Sequence, residues 1–179
     1  MTLSDLLDRP ALVFALLAAA SAAILAAAFA FQYIGGLDPC VLCIYQRYPY
    51  GAVIGLGLLG VLAANRPGAG RGLLAALMGL AAAALVTDAA IAGFHVGVEQ
   101  KWWEGTQACV GVTGAGTIEE LRAQLLGQKV VRCDEVAWSL AGISMAGYNM
   151  LIALGLGALA AAATLRLVRT DRPEGGRHG

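Results

Sequence analysis

Four long apolar stretches, residues 11–34, 41–64, 73–94 and 140–165, constrain this chain more than anything else in it. A bilayer's hydrocarbon core is about 30 Å thick, and a helix needs roughly 20 apolar residues to cross it. Each stretch meets that length. Backbone groups in lipid must be satisfied within the segment, and these Ala- and Leu-rich runs show no period-2 alternation, so helices are expected rather than barrel strands. Composition agrees: 59% of the residues are hydrophobic and only 13% charged, with a mean hydropathy of +0.71, far from an ordinary soluble domain. The expected fold is an all-α membrane protein, one integral domain over residues 1–179. It is a four-transmembrane-helix bundle with a long loop, residues 95–139, between the third and fourth helices.

The first run is read as a membrane anchor rather than a cleaved leader, because it is too long for a signal core and its flank carries Asp5 and Asp8 against Arg9. Orientation follows from basic residues near helix ends. Arg66 and Arg71 lie in the short second connection, and Arg166, Arg169, Arg172 and Arg177 in the C-terminal tail, so both termini are expected in the cytoplasm. In the long loop, Lys101, Arg122, Lys129 and Arg132 are outnumbered by Glu99, Glu104, Glu119, Glu120, Asp134 and Glu135. Net charge is zero, and nothing in the pattern suggests nucleic acid. Small residues at four-residue spacing, Gly51 with Gly55 and Gly142 with Ala146, predict close helix approach, and Asn149 offers a polar contact inside the fourth span.

Cysteines carry the chemistry. Cys40 and Cys43 form a C-x-x-C at a helix start, whereas Cys109 and Cys133 lie far apart in the long loop, and all four fall on the side opposite the termini. Four thiolates can close a zinc site, but the second pair lacks the close spacing of zinc ribbons. Two static disulfides also fit, since a bridge across the Cys109 to Cys133 loop would stabilise it by roughly 3 kcal/mol. The C-x-x-C argues for exchange instead, because so small a ring is strained and its two thiols differ in acidity. Asp38 is the expected N-cap and Pro39 the first helical residue, which places both thiols at the positive end of the helix. Arg47 lies four residues beyond Cys43 and so shares its face, suited to stabilising a thiolate and a nearby anion, although an arginine there also fits a snorkelling anchor.

The run Pro39-Cys40-Val41-Leu42-Cys43-Ile44-Tyr45-Gln46-Arg47 resembles the P-C-x-L-C-x-x-[EQ]-R signature of the DsbB family. Four spans, a second cysteine pair in the last loop, the segment His95 to Glu99 followed by Trp102 and Trp103, and the entry to the last span from Trp138 to Asn149 are similar to the same family. Pro49 and Ala146 depart from many of its members. The resemblance implies a quinone-dependent protein-dithiol oxidoreductase of the bacterial inner membrane with its active cysteines in the periplasm. Cys109 and Cys133 would be the loop disulfide, with Cys109 attacked by a reduced periplasmic DsbA-like thioredoxin-fold protein. Cys133 would exchange with Cys40, and Cys43 would pass electrons to ubiquinone or menaquinone held by Arg47 and His95. Membrane lipid is the other expected partner.

Asp88, His95 and Glu99 recur at intervals of seven and four, forming one stripe along the third span, and acids inside spans are rare. Asp88 lies outside the family pattern and also fits a wet or interhelical position. In the long loop, Thr117 and Glu120 form a capping box ahead of Ile118, Leu121, Leu125 and Leu126, which predicts a short interfacial helix. Trp102, Trp103 and Trp138 are read as headgroup anchors. Two other readings stay open. A vitamin K epoxide reductase-like enzyme would place its C-x-x-C in the last span. A non-enzymatic scaffold would keep both cysteine pairs permanently oxidised and bind no quinone.

Overall fold

The computed structural model describes residues 2–106, 109, 118, 122 and 131–170. Helix α1 (Leu3–Leu7) is a single short piece that begins at a capping box between Thr2 and Asp5. Pro10 then opens α2 (Pro10–Tyr33), where the missing proline N–H costs nothing because the first helical donors are unpaired anyway. The second span is divided into α3 (Val41–Tyr45) and α4 (Arg47–Ala64), which meet at Gln46. Pro49 explains the division, because it has no N–H to give the Tyr45 carbonyl one turn back. Helix α5 (Arg71–Glu99) follows, and α6 (Met145–Thr170) closes the described fold.

Four helical stretches, Pro10–Tyr33, Val41–Ala64, Arg71–Glu99 and Met145–Thr170, are long and apolar enough to cross a membrane. The protein is a multi-pass, mostly helical membrane protein. Two boundaries differ from the sequence reading. The third helix continues past Phe94 to Glu99, so His95 and Glu99 stand on its last turn rather than in a loop. The fourth begins at Met145, after a two-stranded antiparallel hairpin in which Ser139 pairs with Ser144 and Leu140 with Ile143. Ala141 and Gly142 both have positive φ, 51° and 80°, the conformation that a two-residue hairpin turn requires. The expected capping-box helix, with Thr117, Glu120, Leu121, Leu125 and Leu126, lies outside the described residues; Ile118 is exposed.

Helix α5 packs along α6 and α4, and α2 packs along α4. Between them Val13, Phe14, Leu17, Met78 and Leu85 are fully buried, while Leu58, Leu59, Leu62 and Leu80 face outward. Large aliphatic side chains on the outside suit lipid, which is as apolar as the interior. Close approach does occur at glycines, but at different ones from those singled out above. Gly57 meets Ala18 and the Phe14 carbonyl, and Gly60 lies under the Phe14 ring, where a Cβ would overlap the ring carbons. Gly51 and Gly55 face open space, and Gly142 serves the hairpin turn. Spacing alone cannot tell which side of a glycine-bearing helix meets a neighbour. At the termini, Arg166 pairs with Asp8 at 2.9 Å, placing the start of α2 beside the end of α6. Both residues are about half exposed, so this ion pair contributes little stability.

Candidate active site

Where the chain enters the second span, Cys40 adopts an extended conformation and its sulfur accepts the Cys43 N–H at 3.2 Å. Cys40 is therefore the N-cap of α3, in place of the Asp38 cap and Pro39 first turn expected from sequence. A cysteine here does the work of a capping serine, and the helix starts two residues later than the proline suggested. The Cys40 and Cys43 sulfurs are 2.6 Å apart, and neither belongs to a disulfide. The Cys43 partner, followed by the His95 imidazole, holds the Cys40 thiol well below its usual range, at about 4. Burial opposes this shift without cancelling it.

His95 reaches this pair from the last turn of α5, with Nε2 3.6 Å from Cys40 Sγ and 3.9 Å from Glu99 Oε1. On the other side of the ring, Gln46 Nε2 donates to His95 Nδ1 at 3.1 Å. Glu99 in turn accepts a short hydrogen bond from the Ser144 hydroxyl, which fixes the end of α5 to the hairpin before α6. Polar groups continue inward. Asn149 Nδ2 donates to Gln46 Oε1 at 2.7 Å and to Asp88 Oδ2 at 2.9 Å, while the Tyr50 hydroxyl donates to Asn149 Oδ1 at 2.6 Å. Asp88 and Tyr50 are fully or almost fully buried.

Cys109 and Cys133 are joined as a disulfide and are both buried. They pack in one cluster with Cys40, Leu42 and Val98, so the bridge of the long loop sits against the C-x-x-C across the tip of α5. That bridge removes two thiols from any four-thiolate zinc site. Among the described residues, the one grouping of donors suited to a metal is Cys40, Cys43 and His95, whose ligand atoms all lie within 4.8 Å of one another.

Arg47 borders the same cavity as Cys43 and turns its guanidinium toward α2. Its Nη1 donates to Gln32 Oε1 at 2.7 Å and its guanidinium lies 4.8 Å from the centre of the Phe29 ring, both on α2. Among the described residues it makes no hydrogen bond to Cys43. Its Nε is buried and has no partner among the described residues. An unsatisfied buried donor costs about 1–3 kcal/mol, which favours an acceptor being bound there. A cavity of about 410 Å³ opens beside it, bordered by Cys40, Cys43, Arg47, His95 and Glu99 and otherwise largely by apolar side chains such as Ile24 and Phe31.

The tryptophans divide. Trp103 stacks on Phe94, donates Nε1 to the Phe94 carbonyl at 3.0 Å and covers Gly97, while Trp102 is exposed. Trp138 packs against Phe31 and Tyr148 and borders the cavity, so it is more than a headgroup anchor. Sequence reasoning gave no role to Gln32, Gln46, Tyr50 or Ser144. The available signal was polarity: each interrupts or flanks an apolar span, where an unpaired polar side chain is costly.

The sequence model of the family described as disulfide bond formation protein DsbB matches residues 10–163. Disulfide bond formation protein B of Verminephrobacter eiseniae is 36% identical over 172 residues, covering 93% of this chain and 93% of the relative. The protein of the same description from Methylococcus capsulatus is 37% identical over 145 residues, covering 76% and 83%. Disulfide bond formation protein B 2 of Pseudomonas savastanoi is 31% identical over 161 residues, covering 86% and 87%. No solved structure matches this chain.

Proposed function

Because this chain belongs to the DsbB family and is thus a membrane disulfide oxidase, we propose that it draws electrons from a DsbA-like thioredoxin-fold partner and delivers them to a membrane quinone. Neither the vitamin K epoxide reductase-like reading nor the scaffold reading is favoured by that membership. One observation supports the relay above all: both cysteine pairs pack in a single cluster, and one pair opens on an apolar cavity with an unpaired arginine donor.

In this reading a partner thiolate attacks Cys109 and breaks the Cys109–Cys133 bond. The partner's second thiolate then displaces Cys109, leaving as a disulfide and depositing two electrons on the loop pair. Cys109 is 1% exposed, so the attack requires its covering residues to move aside. Cys133 next attacks an oxidised Cys40–Cys43 pair at Cys40, and closure by Cys109 returns the loop disulfide and leaves Cys40 and Cys43 reduced. The first attack releases Cys43; in the closing step Cys40 is the leaving thiolate, and its lowered pKa favours that departure.

The cavity suits a quinone by size and by its apolar lining, and Arg47 and His95 are the residues that would hold it. Such a group supplies a two-electron, two-proton acceptor in reach of the membrane. Arg47 Nε offers a charged donor to a carbonyl oxygen, Gln32 and Phe29 keep the guanidinium from swinging away, and Phe31 and Trp138 exclude water. The proposed setting is the bacterial inner membrane, with both termini cytoplasmic and the four cysteines periplasmic.

Replacing Cys43 tests the order of the relay. Cys43→Ser should still form a mixed disulfide between Cys109 and the reduced partner, yet produce no quinol. Quinol formation at the wild-type rate in that variant would refute the assignment.

A further inference from the structure

A continuous line of hydrogen bonds runs from the bundle interior to the Cys40 sulfur: Asp88, Asn149, Gln46, His95, Cys40. Its members come from α5, α6 and the junction of α3 with α4, so it is tertiary structure rather than a local turn. Each side-chain amide has distinct ends, an oxygen that only accepts and a nitrogen that only donates. The direction of the line is therefore set at its ends, by Asp88 at the inner one and, in the same sense, by the Glu99 carboxylate 3.9 Å from His95 Nε2 at the outer one.

At the inner end, Asp88 Oδ2 accepts from Asn149 Nδ2. Its other oxygen, Oδ1, is buried and has no hydrogen-bond partner among the described residues. A proton on the carboxyl therefore has Oδ1 available, and Oδ2 stays an acceptor in either ionisation state. Tyr50, the other polar side chain beside Asn149, holds a hydroxyl that can donate or accept and so adapts to the direction without setting it. With the Asn149 nitrogen committed to Asp88 and Gln46 Oε1, Gln46 must present Nε2 to the imidazole. His95 Nδ1 is then an acceptor. In the neutral ring the single proton sits on Nε2, the atom that faces Cys40 at 3.6 Å.

We infer that Asp88, acting through Asn149 and Gln46, is a positioning residue that fixes the Nε2–H tautomer of His95 and so keeps a donor aimed at the Cys40 sulfur. This accounts for an acid with no exposure in the middle of a membrane span, which the thiol relay by itself leaves without a role. Reversed, the line would turn the imidazole lone pair toward Cys40, and a thiolate there would lose its neutral-ring donor. The inference rests on the proposed relay only for the use made of Cys40; the tautomer is a property of the resting protein.

Nitrogen-15 NMR of histidine-labelled protein tests it, with the Cys40–Cys43 pair reduced and the chain's other histidine replaced as His178→Gln. Wild-type His95 should show a protonated Nε2 and an unprotonated Nδ1. Asp88→Leu, which removes the acceptor, should give a mixture of tautomers and move the pH at which Cys40 alkylation falls off upward by about one unit. Asp88→Asn keeps an acceptor oxygen and should restore both readouts. A protonated Nδ1 in the wild type overturns the inference without any variant, as does an unchanged tautomer in folded Asp88→Leu. Should Asp88→Leu not fold, loss of the Nε2–H tautomer in Asp88→Asn overturns it equally. Quinol formation by the wild-type sample reports separately on the relay, so either idea can fail alone.

Discussion

At the scale of single residues, the site is organised by what each side chain lacks as much as by what it holds. Cys40 lacks the usual proton: its neighbours Cys43 and His95 hold the thiol at about 4. A depressed value means the thiolate persists above that pH and is lost only as pH falls through it. Alkylation of Cys40 in the reduced protein with Cys43 in place, read by mass spectrometry of the Cys40 peptide, should vary little between pH 6 and 8. An ordinary thiol, with a pKa of about 8.5, would instead gain close to tenfold per unit. Arg47 Nε has no partner among the described residues. Arg47→Lys retains charge but loses the fork that grips Gln32 while offering a second donor, so the apparent Michaelis constant for quinone should rise, and Arg47→Gln should raise it by about tenfold or more. Partner oxidation through Cys109 in a single turnover should stay near normal in both. Unchanged constants with impaired membrane insertion would make Arg47 the snorkelling anchor that its position also allowed.

At the scale of elements, the four spans were legible because apolar length is a direct physical requirement, and their ends were less so because hydropathy does not register caps or turns. The α5 helix runs on to Glu99 since His95 and Glu99 find partners in Cys40, Gln46 and Ser144, which no hydropathy window sees. The cap at Cys40 was missed for a similar reason: Asp38 and Pro39 form a better-known start signal, but the sulfur that accepts the Cys43 N–H sits two residues on. The glycine spacing pointed to Gly51 and Gly55, whereas the α2 contact falls at Gly57 and Gly60. This difference is measurable. Gly60→Ala places a Cβ into the Phe14 ring and should destabilise the detergent-solubilised protein by about 1–3 kcal/mol, the usual range for overpacking. Gly51→Ala faces open space and should be neutral or slightly stabilising. Equal thermal shifts for the two would contradict the described packing.

At the scale of the whole molecule, the bundle brings into one place what the sequence keeps apart. The C-x-x-C enters from the second span, His95 and Glu99 from the third, Ser144 from the hairpin before the fourth, Asn149 from the fourth, and the Cys109–Cys133 bridge from the loop between the last two. The signature around Cys40 named the chemistry in the sequence, but the polar line through Gln46 and Asn149 needed three helices in register and could not be read from any one of them. In the proposed relay, electrons leaving a protein dithiol cross this cluster to a quinone. The most direct test of the relay is a reconstituted turnover with purified protein, a reduced DsbA-like partner and ubiquinone or menaquinone, following thiol loss and quinol appearance together. One quinol should appear for each partner disulfide formed, and Cys109→Ala should abolish both signals. Partner oxidation without matching quinol, or four cysteines that remain oxidised throughout, would contradict the relay.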